Sequence, residues 1–140
     1  MRSKLFYFVT FMFFSLNFLN AQVIGKIFDA DYANKEFGKV NSHVEIINSQ
    51  LKNLLEEAGE YIMLNIDNGK LRVLNGNREG IIGHAKSDEE VFYKMSTSQV
   101  LKLLEKGGKS STLIEMRPKT LTLTNGNYTM DLVMPCPPVC

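Results

Sequence analysis

The chain has 140 residues, with 16 Lys or Arg against 15 Asp or Glu and a formal charge of +1 at pH 7. Its charges are interspersed, which argues against a nucleic-acid footprint or a membrane-surface patch. Two cysteines in the whole chain exclude a disulfide framework, so the fold must rest on its apolar core.

Arg2 and Lys4 precede an apolar run from Leu5 to Leu19, broken by Thr10, Ser15 and Asn17. The run is shorter than the ~20 residues that span a bilayer. A basic start, a short apolar centre and a small residue soon after read as an export signal, residues 1–21, cut after Ala21 to leave Gln22 first. Leu19 at the −3 position is larger than usual, which loosens the cut by a residue or two. No cysteine follows to carry a lipid anchor. The destination is secreted or periplasmic, with no membrane association once the signal is removed; an uncleaved anchor is the alternative reading.

Residues 22–134 read as one domain. Val23 to Phe28 is extended; Asp29 N-caps a short helix through Phe37, and Gly38 closes it. From Val40 to Ile46 the chain alternates, with Val40, Ser42, Val44 and Ile46 on one face and Asn41, His43 and Glu45 on the other, a half-buried strand. Asn48 or Ser49 caps a helix through Ala58, whose Leu51, Leu54, Leu55 and Ala58 form one apolar stripe. Two strand-like runs then flank Asn68-Gly69, a tight hairpin turn. Asn75-Gly76-Asn77 turns again, Ile81-Ile82 adds a short strand, and residues 83–90 form a solvated loop. Val91, Tyr93 and Met95 alternate as a strand. A rival reading, with Ser87 and Glu90 as a capping box, makes 88–95 helical, but Val-Phe-Tyr favours the strand. Ser96 and Gln99 have capping-box spacing before a helix to Lys106. Two strands follow around Pro118-Lys119, and Asn125-Gly126-Asn127 turns into a last one.

The two halves are alike. "SQLKNLLEEAG" at 49–59 lies over "SQVLKLLEKGG" at 98–108, an offset of 49, and Asn75-Gly76-Asn77 lies over Asn125-Gly126-Asn127 one residue later. The same alignment sets Val44 over Tyr93 and Ile46 over Met95. An internal repeat, 40–77 and 91–127, explains this; so do common capping rules acting twice. Either way the fold class is α+β: two sequential strand–helix–strand–strand units forming an antiparallel-rich sheet with helices packed on one face.

No catalytic constellation stands out, so the chain is not expected to be an enzyme; an unrecognised site is the rival reading. His43 and His84 are 41 residues apart, His43 on a polar strand face and His84 in a loop. Imidazole ligands count when they cluster. Asp29 starts a run like a calcium loop, but Ala33, Asn34 and Val40 stand where ligands and the turn glycine belong. Glu56-Glu57 and Asp88 to Glu90 read as solvated charge. There is no nucleophile elbow and no phosphate-cradling glycine loop. In topology alone, two tandem units of this kind resemble the paired modules of the vicinal-oxygen-chelate enzymes. That resemblance implies metal ligands on the strands, where this chain offers only His43 and Glu115. No cofactor is expected. Asn127-Tyr128-Thr129 is a glycosylation sequon on a turn.

The tail, residues 135–140, holds both cysteines, Cys136 and Cys140, around Pro137-Pro138. Export favours an intrachain disulfide, which requires the segment to reverse; a cis Pro137–Pro138 bond would allow it. Pairing with another chain, free thiols, and a soft-metal site for Cu(I) or zinc with Met134 as third ligand stand as alternatives. The functional expectation is a small exported binding domain with an unknown protein or peptide partner. Its surfaces would be the open sheet face, an edge strand or the stiff tail. A metal or thiol carrier through Met134, Cys136 and Cys140 is the alternative. Oligomeric state is open.

Overall fold

A computed structural model describes residues 22–140. The export signal expected at 1–21 lies outside the described residues. The described elements are, in chain order, β1 (Lys26–Asp29), α1 (Ala30–Phe37), β2 (Ser42–Ile47), α2 (Asn48–Ala58), β3 (Tyr61–Asp67), β4 (Lys70–Asn75), β5 (Gly80–Ile82), β6 (Phe92–Ser96), α3 (Thr97–Gly107), β7 (Ser111–Met116), β8 (Leu121–Asn125), β9 (Tyr128–Asp131) and β10 (Met134–Cys136). The α+β architecture follows from the patterning: period-2 runs become strands, and the two i, i+3, i+4 stripes become α2 and α3.

The strands divide into two antiparallel five-stranded sheets, ordered β1-β9-β8-β7-β2 and β10-β6-β3-β4-β5. Each strand–helix–strand–strand unit gives its first strand to the other unit's sheet. β2 pairs with β7, and β6 with β3. The registers correspond. Ile47 stands opposite Ser111 and Ile46 opposite Thr112 in one sheet; Ser96 stands opposite Tyr61 and Met95 opposite Ile62 in the other. These are the positions that the 49- and 50-residue offsets superpose.

The hairpins correspond too. Asn68 and Gly69 take the positive φ angles, 50° and 73°, of a tight two-residue turn. In the second unit Pro118-Lys119 occupies the same place, closed by Arg117 N donating to Thr120 O at 2.9 Å. Residues 88 and 89 form a turn, and the strand β6 begins at Phe92, so the helical alternative for 88–95 is not what forms.

One core joins both sheets. Leu51, Leu55 and Ala58 of α2 and Val100, Leu103 and Leu104 of α3 meet Ile62, Leu64 and Val73 from one sheet and Ile114, Leu121, Leu123 and Met130 from the other. Each fully buried Leu or Ile contributes about 1.5–3 kcal/mol. α1 lies instead on the outer face of the first sheet, against β1 and β9, where Phe28 stacks on Tyr32 with ring centroids 5.3 Å apart.

The capping residues do something other than cap. Ser96 makes no side-chain cap to α3. Its hydroxyl accepts from Ile24 N at 2.8 Å, while Gln99 Nε2 donates to Gly25 O at 2.8 Å. The capping-box pair therefore clamps the N-terminal segment, because that segment offers buried backbone groups needing partners. Asp29 likewise precedes α1 without a side-chain cap bond. Among the described residues no helix is long and apolar enough to cross a membrane.

Candidate functional site

The C-terminal residues enter the second sheet. β10 pairs antiparallel with β6, Met134 opposite Lys94, Pro135 opposite Tyr93 and Cys136 opposite Phe92. Thr97 N donates to Glu60 O at 3.0 Å. By antiparallel alternation Tyr93 and Met95 then turn their N–H groups toward β3, and Phe92 and Lys94 turn theirs toward β10. Pro135, which has no N–H, stands where no donor is needed.

Cys136 is fully buried in a small outer cluster with Met63, Leu74 and Phe92. Cys136 and Cys140 lie at disulfide distance, their Cα atoms 4.9 Å apart. The peptide bonds preceding Pro137 and Pro138 are both cis, and Val139 N donates to Pro135 O at 2.9 Å. Met134, two residues before Cys136, is half-buried. Among the described residues no three His, Cys, Asp or Glu side chains gather as metal ligands do.

Two arginines hold this cluster down. Arg78 Nη1 donates to Cys136 O at 2.8 Å and Nη2 to Glu90 O at 2.9 Å. Arg72 forms a two-pronged ion pair with Glu90. The Arg72 and Arg78 guanidinium carbons lie 5.1 and 5.7 Å from the Phe92 ring centroid, a double cation–π arrangement. The Arg72 hydrogen bonds pull the Glu90 carboxyl down to about 2, and the same bonds raise Arg72. Lys86 Nζ reaches Asp67 Oδ2 at 2.7 Å. The loop after β5 is thus tied to the outer face of its sheet. From sequence this loop reads as solvated charge; the single signal of its attachment is Glu90 placed just ahead of an aromatic strand.

The outer face of the first sheet carries a polar network beside α1. Glu115 Oε2 accepts from Arg117 Nη2 at 3.2 Å, Thr122 Oγ1 at 3.0 Å and Thr124 Oγ1 at 2.8 Å. Arg117 Nη1 reaches Asn34 Oδ1 at 3.0 Å and Gly38 O at 2.5 Å, fastening the end of α1. His43 stands directly opposite Glu115 in the ladder, exposed. The fold brings these two together, but Glu115 is already engaged as the centre of a structural network. His84 is far along the chain in the tied loop, its carbonyl accepting from Arg72 Nη1 at 3.1 Å.

A shallow cleft of about 510 Å³ is lined by Lys35, Phe37, Pro118, Lys119, Thr120 and Asp131 among others. Asp131 is buried there, accepting from Thr120 Oγ1 and Leu132 N, each at 2.7 Å. Burial raises its carboxyl above the ordinary range. Tyr93 is raised as well, by burial first and the charge of Asp131 second.

The sheet edges differ sharply. β5 and β10 have three residues each and β1 has four. β2 has six, Ser42 to Ile47, with neither Lys nor Pro to blunt it. Asn48 N donates to Ser110 O at 2.9 Å. Alternation then turns Val44 and Ile46 toward β7 and leaves the N–H and C=O groups of His43, Glu45 and Ile47 facing outward. In the corresponding half, β10 covers the equivalent edge of β6. Among the described residues nothing covers β2. The sequence points to an edge strand as one candidate surface without saying which; the exchange of first strands, which makes β2 an edge, leaves no local signal. Comparison of the chain with protein-family models, curated proteins and solved structures finds no match.

Proposed function

We propose that this is a small exported, non-catalytic domain that binds a protein or peptide segment along β2, in the cell envelope or outside the cell. The observation behind it is the asymmetry of two corresponding edges: β6 carries an added antiparallel strand, while β2, longer and without Lys or Pro, carries none. An exposed edge supplies main-chain hydrogen bonds for affinity and alternate side-chain positions for selectivity. Export is read from Arg2, Lys4 and the apolar run before Ala21.

The test uses a random peptide library displayed on phage, selected on the immobilised protein and counter-selected on Glu45→Pro. The Glu45 N–H faces outward, so proline there removes an edge donor and leaves the β7 ladder in place. Enrichment of extended sequences that bind the wild type and not Glu45→Pro supports the reading. Equal binding to both, with circular dichroism showing both folded, or no enrichment at all, counts against it.

A further inference from the structure

The open edge has a register already written for it in the other half of the molecule, and that register is self-complementary. β10 sits on Phe92, Tyr93 and Lys94. The positions corresponding to these in β2, 49 residues earlier, are His43, Val44 and Glu45. The strand on β6 places its residues opposite two outward-facing positions flanking one inward-facing position. On β2 the same arrangement centres on Val44, with His43 and Glu45 as the flanking, hydrogen-bonding positions.

Consider an antiparallel strand identical to β2 laid on this edge with Val44 opposite Val44. His43 of each copy then stands opposite Glu45 of the other, twice per pair. An opposite-charge or His–carboxylate pair directly across an antiparallel ladder is favourable, and two Glu in the same places are not. The outward N–H and C=O groups of both strands meet in phase. Registers centred on Glu45 would put Glu45 against Glu45. The residues bounding this edge are apolar and exposed: Val40 is 37% and Ile47 55% exposed. Ser42 and Asn41 bring no charge to the interface, and among the described residues the Glu45 carboxylate has only the Ser111 hydroxyl as a side-chain partner.

We infer that the occupant of the β2 edge is a second copy of this chain, joined through an antiparallel β2–β2 pair about a two-fold axis at Val44 that fuses two five-stranded sheets into one of ten strands. The inference rests on the reading of β2 as a binding edge and names its partner. A two-fold interface presents the same patch from both sides, which the His43/Glu45 arrangement satisfies.

Sedimentation velocity of the purified protein from about 10 μM to about 1 mM tests it. The wild type is expected to show a concentration-dependent monomer–dimer equilibrium. His43→Glu sets like charges opposite each other twice and weakens the dimer at least ~10-fold. The double exchange His43→Glu with Glu45→His restores the pairing and the dimer. Glu45→Pro gives monomer; if that variant fails to fold, the result for His43→Glu decides. A wild type that stays monomeric at about 1 mM overturns the inference, as does a dimer unchanged in His43→Glu. The peptide selection separates the two ideas. Glu45→Pro-sensitive peptides bound by a strictly monomeric protein would leave the edge standing and remove only the second copy.

Discussion

Asn48 and Ser110 are joined by a backbone hydrogen bond of 2.9 Å that ties the start of α2 to the loop before β7, and Thr97 and Glu60 are joined by its counterpart at 3.0 Å. The backbone bonds correspond, but the side chains around them do not. Asn48 Oδ1 accepts from Thr112 Oγ1 at 2.7 Å and its Nδ2 donates to Lys109 O at 2.6 Å. Asn125 completes the cluster, donating to Ser111 O at 2.9 Å and Thr112 Oγ1 at 3.0 Å. Thr97 adds one exposed bond, from its hydroxyl to Glu60 O at 3.1 Å. Asn48→Ala is therefore expected to cost about 2–3 kcal/mol, since it strips a partner from the fully buried Thr112 hydroxyl, and Thr97→Ala about 1 kcal/mol or less. Urea unfolding of the two variants measures the difference; equal costs would mean the Asn48 cluster adds nothing.

The two cysteines are expected to be unequal on mutation. Cys140→Ser opens a loop of sequence separation 4, worth at most about 2 kcal/mol by chain entropy. Cys136→Ser opens the same loop and also sets a hydroxyl among Met63, Leu74 and Phe92, adding about 1–2 kcal/mol. Denaturation midpoints for both variants check the order. A Cys140→Ser variant as damaged as Cys136→Ser would show that the bond, rather than the burial, holds the cluster.

Acid should loosen the loop tied by Arg72 and Glu90. The Glu90 carboxyl is held at about 2 in the fold against an ordinary 4.5. A depressed carboxyl contributes stability that is fully present above 4.5 and is lost as pH falls toward 2. The pair is partly exposed, so the contribution is on the order of 1 kcal/mol. The thermal midpoint of the wild type is expected to exceed that of Glu90→Gln at pH 7, with the two curves converging near pH 2. Parallel curves across that range would count against the pairing.

Asp131 works in the opposite direction. Its carboxyl is raised by burial above an ordinary 3.8. The stability it permits is present below 3.8 and is lost as pH rises through the folded value, because the unfolded chain releases the proton more readily. Asp131→Asn keeps an oxygen for Thr120 and Leu132 and removes the buried charge. The variant is expected to melt higher than the wild type at pH 7 and no higher at pH 3. A variant that melts lower at pH 7 would show that the carboxylate is needed charged.

Local features are legible in the sequence and long-range ones are not. Asn68-Gly69 announces its hairpin because only a two-residue turn with positive φ uses that pair between alternating runs, and the stripes of α2 and α3 face the core as their spacing requires. The alternation of Val44 and Ile46 shows which face is buried. It carries no information on whether the neighbouring strand is β3 or β7, so the exchange of first strands and the division into two sheets stay hidden. Ser96 and Gln99 satisfy the spacing of a capping box, yet a tertiary partner at Ile24 and Gly25 outcompetes the local one. Proline normally marks the end of a sheet. Pro135 escapes that rule by falling opposite Tyr93, a position decided by the register of β6 and not by the residues next to it. The edge at β2 is invisible for the same reason: an edge is defined by which strand is missing beside it.

The exchanged first strands also set an order of events as the chain is made. β2 has no neighbour in its sheet until Ser111 to Met116 exist. During synthesis from the N-terminus, six residues with a bare ladder wait through most of the remaining chain. The first half cannot finish alone, and severing the chain between β5 and β6 would yield two pieces that each hold the strand the other lacks.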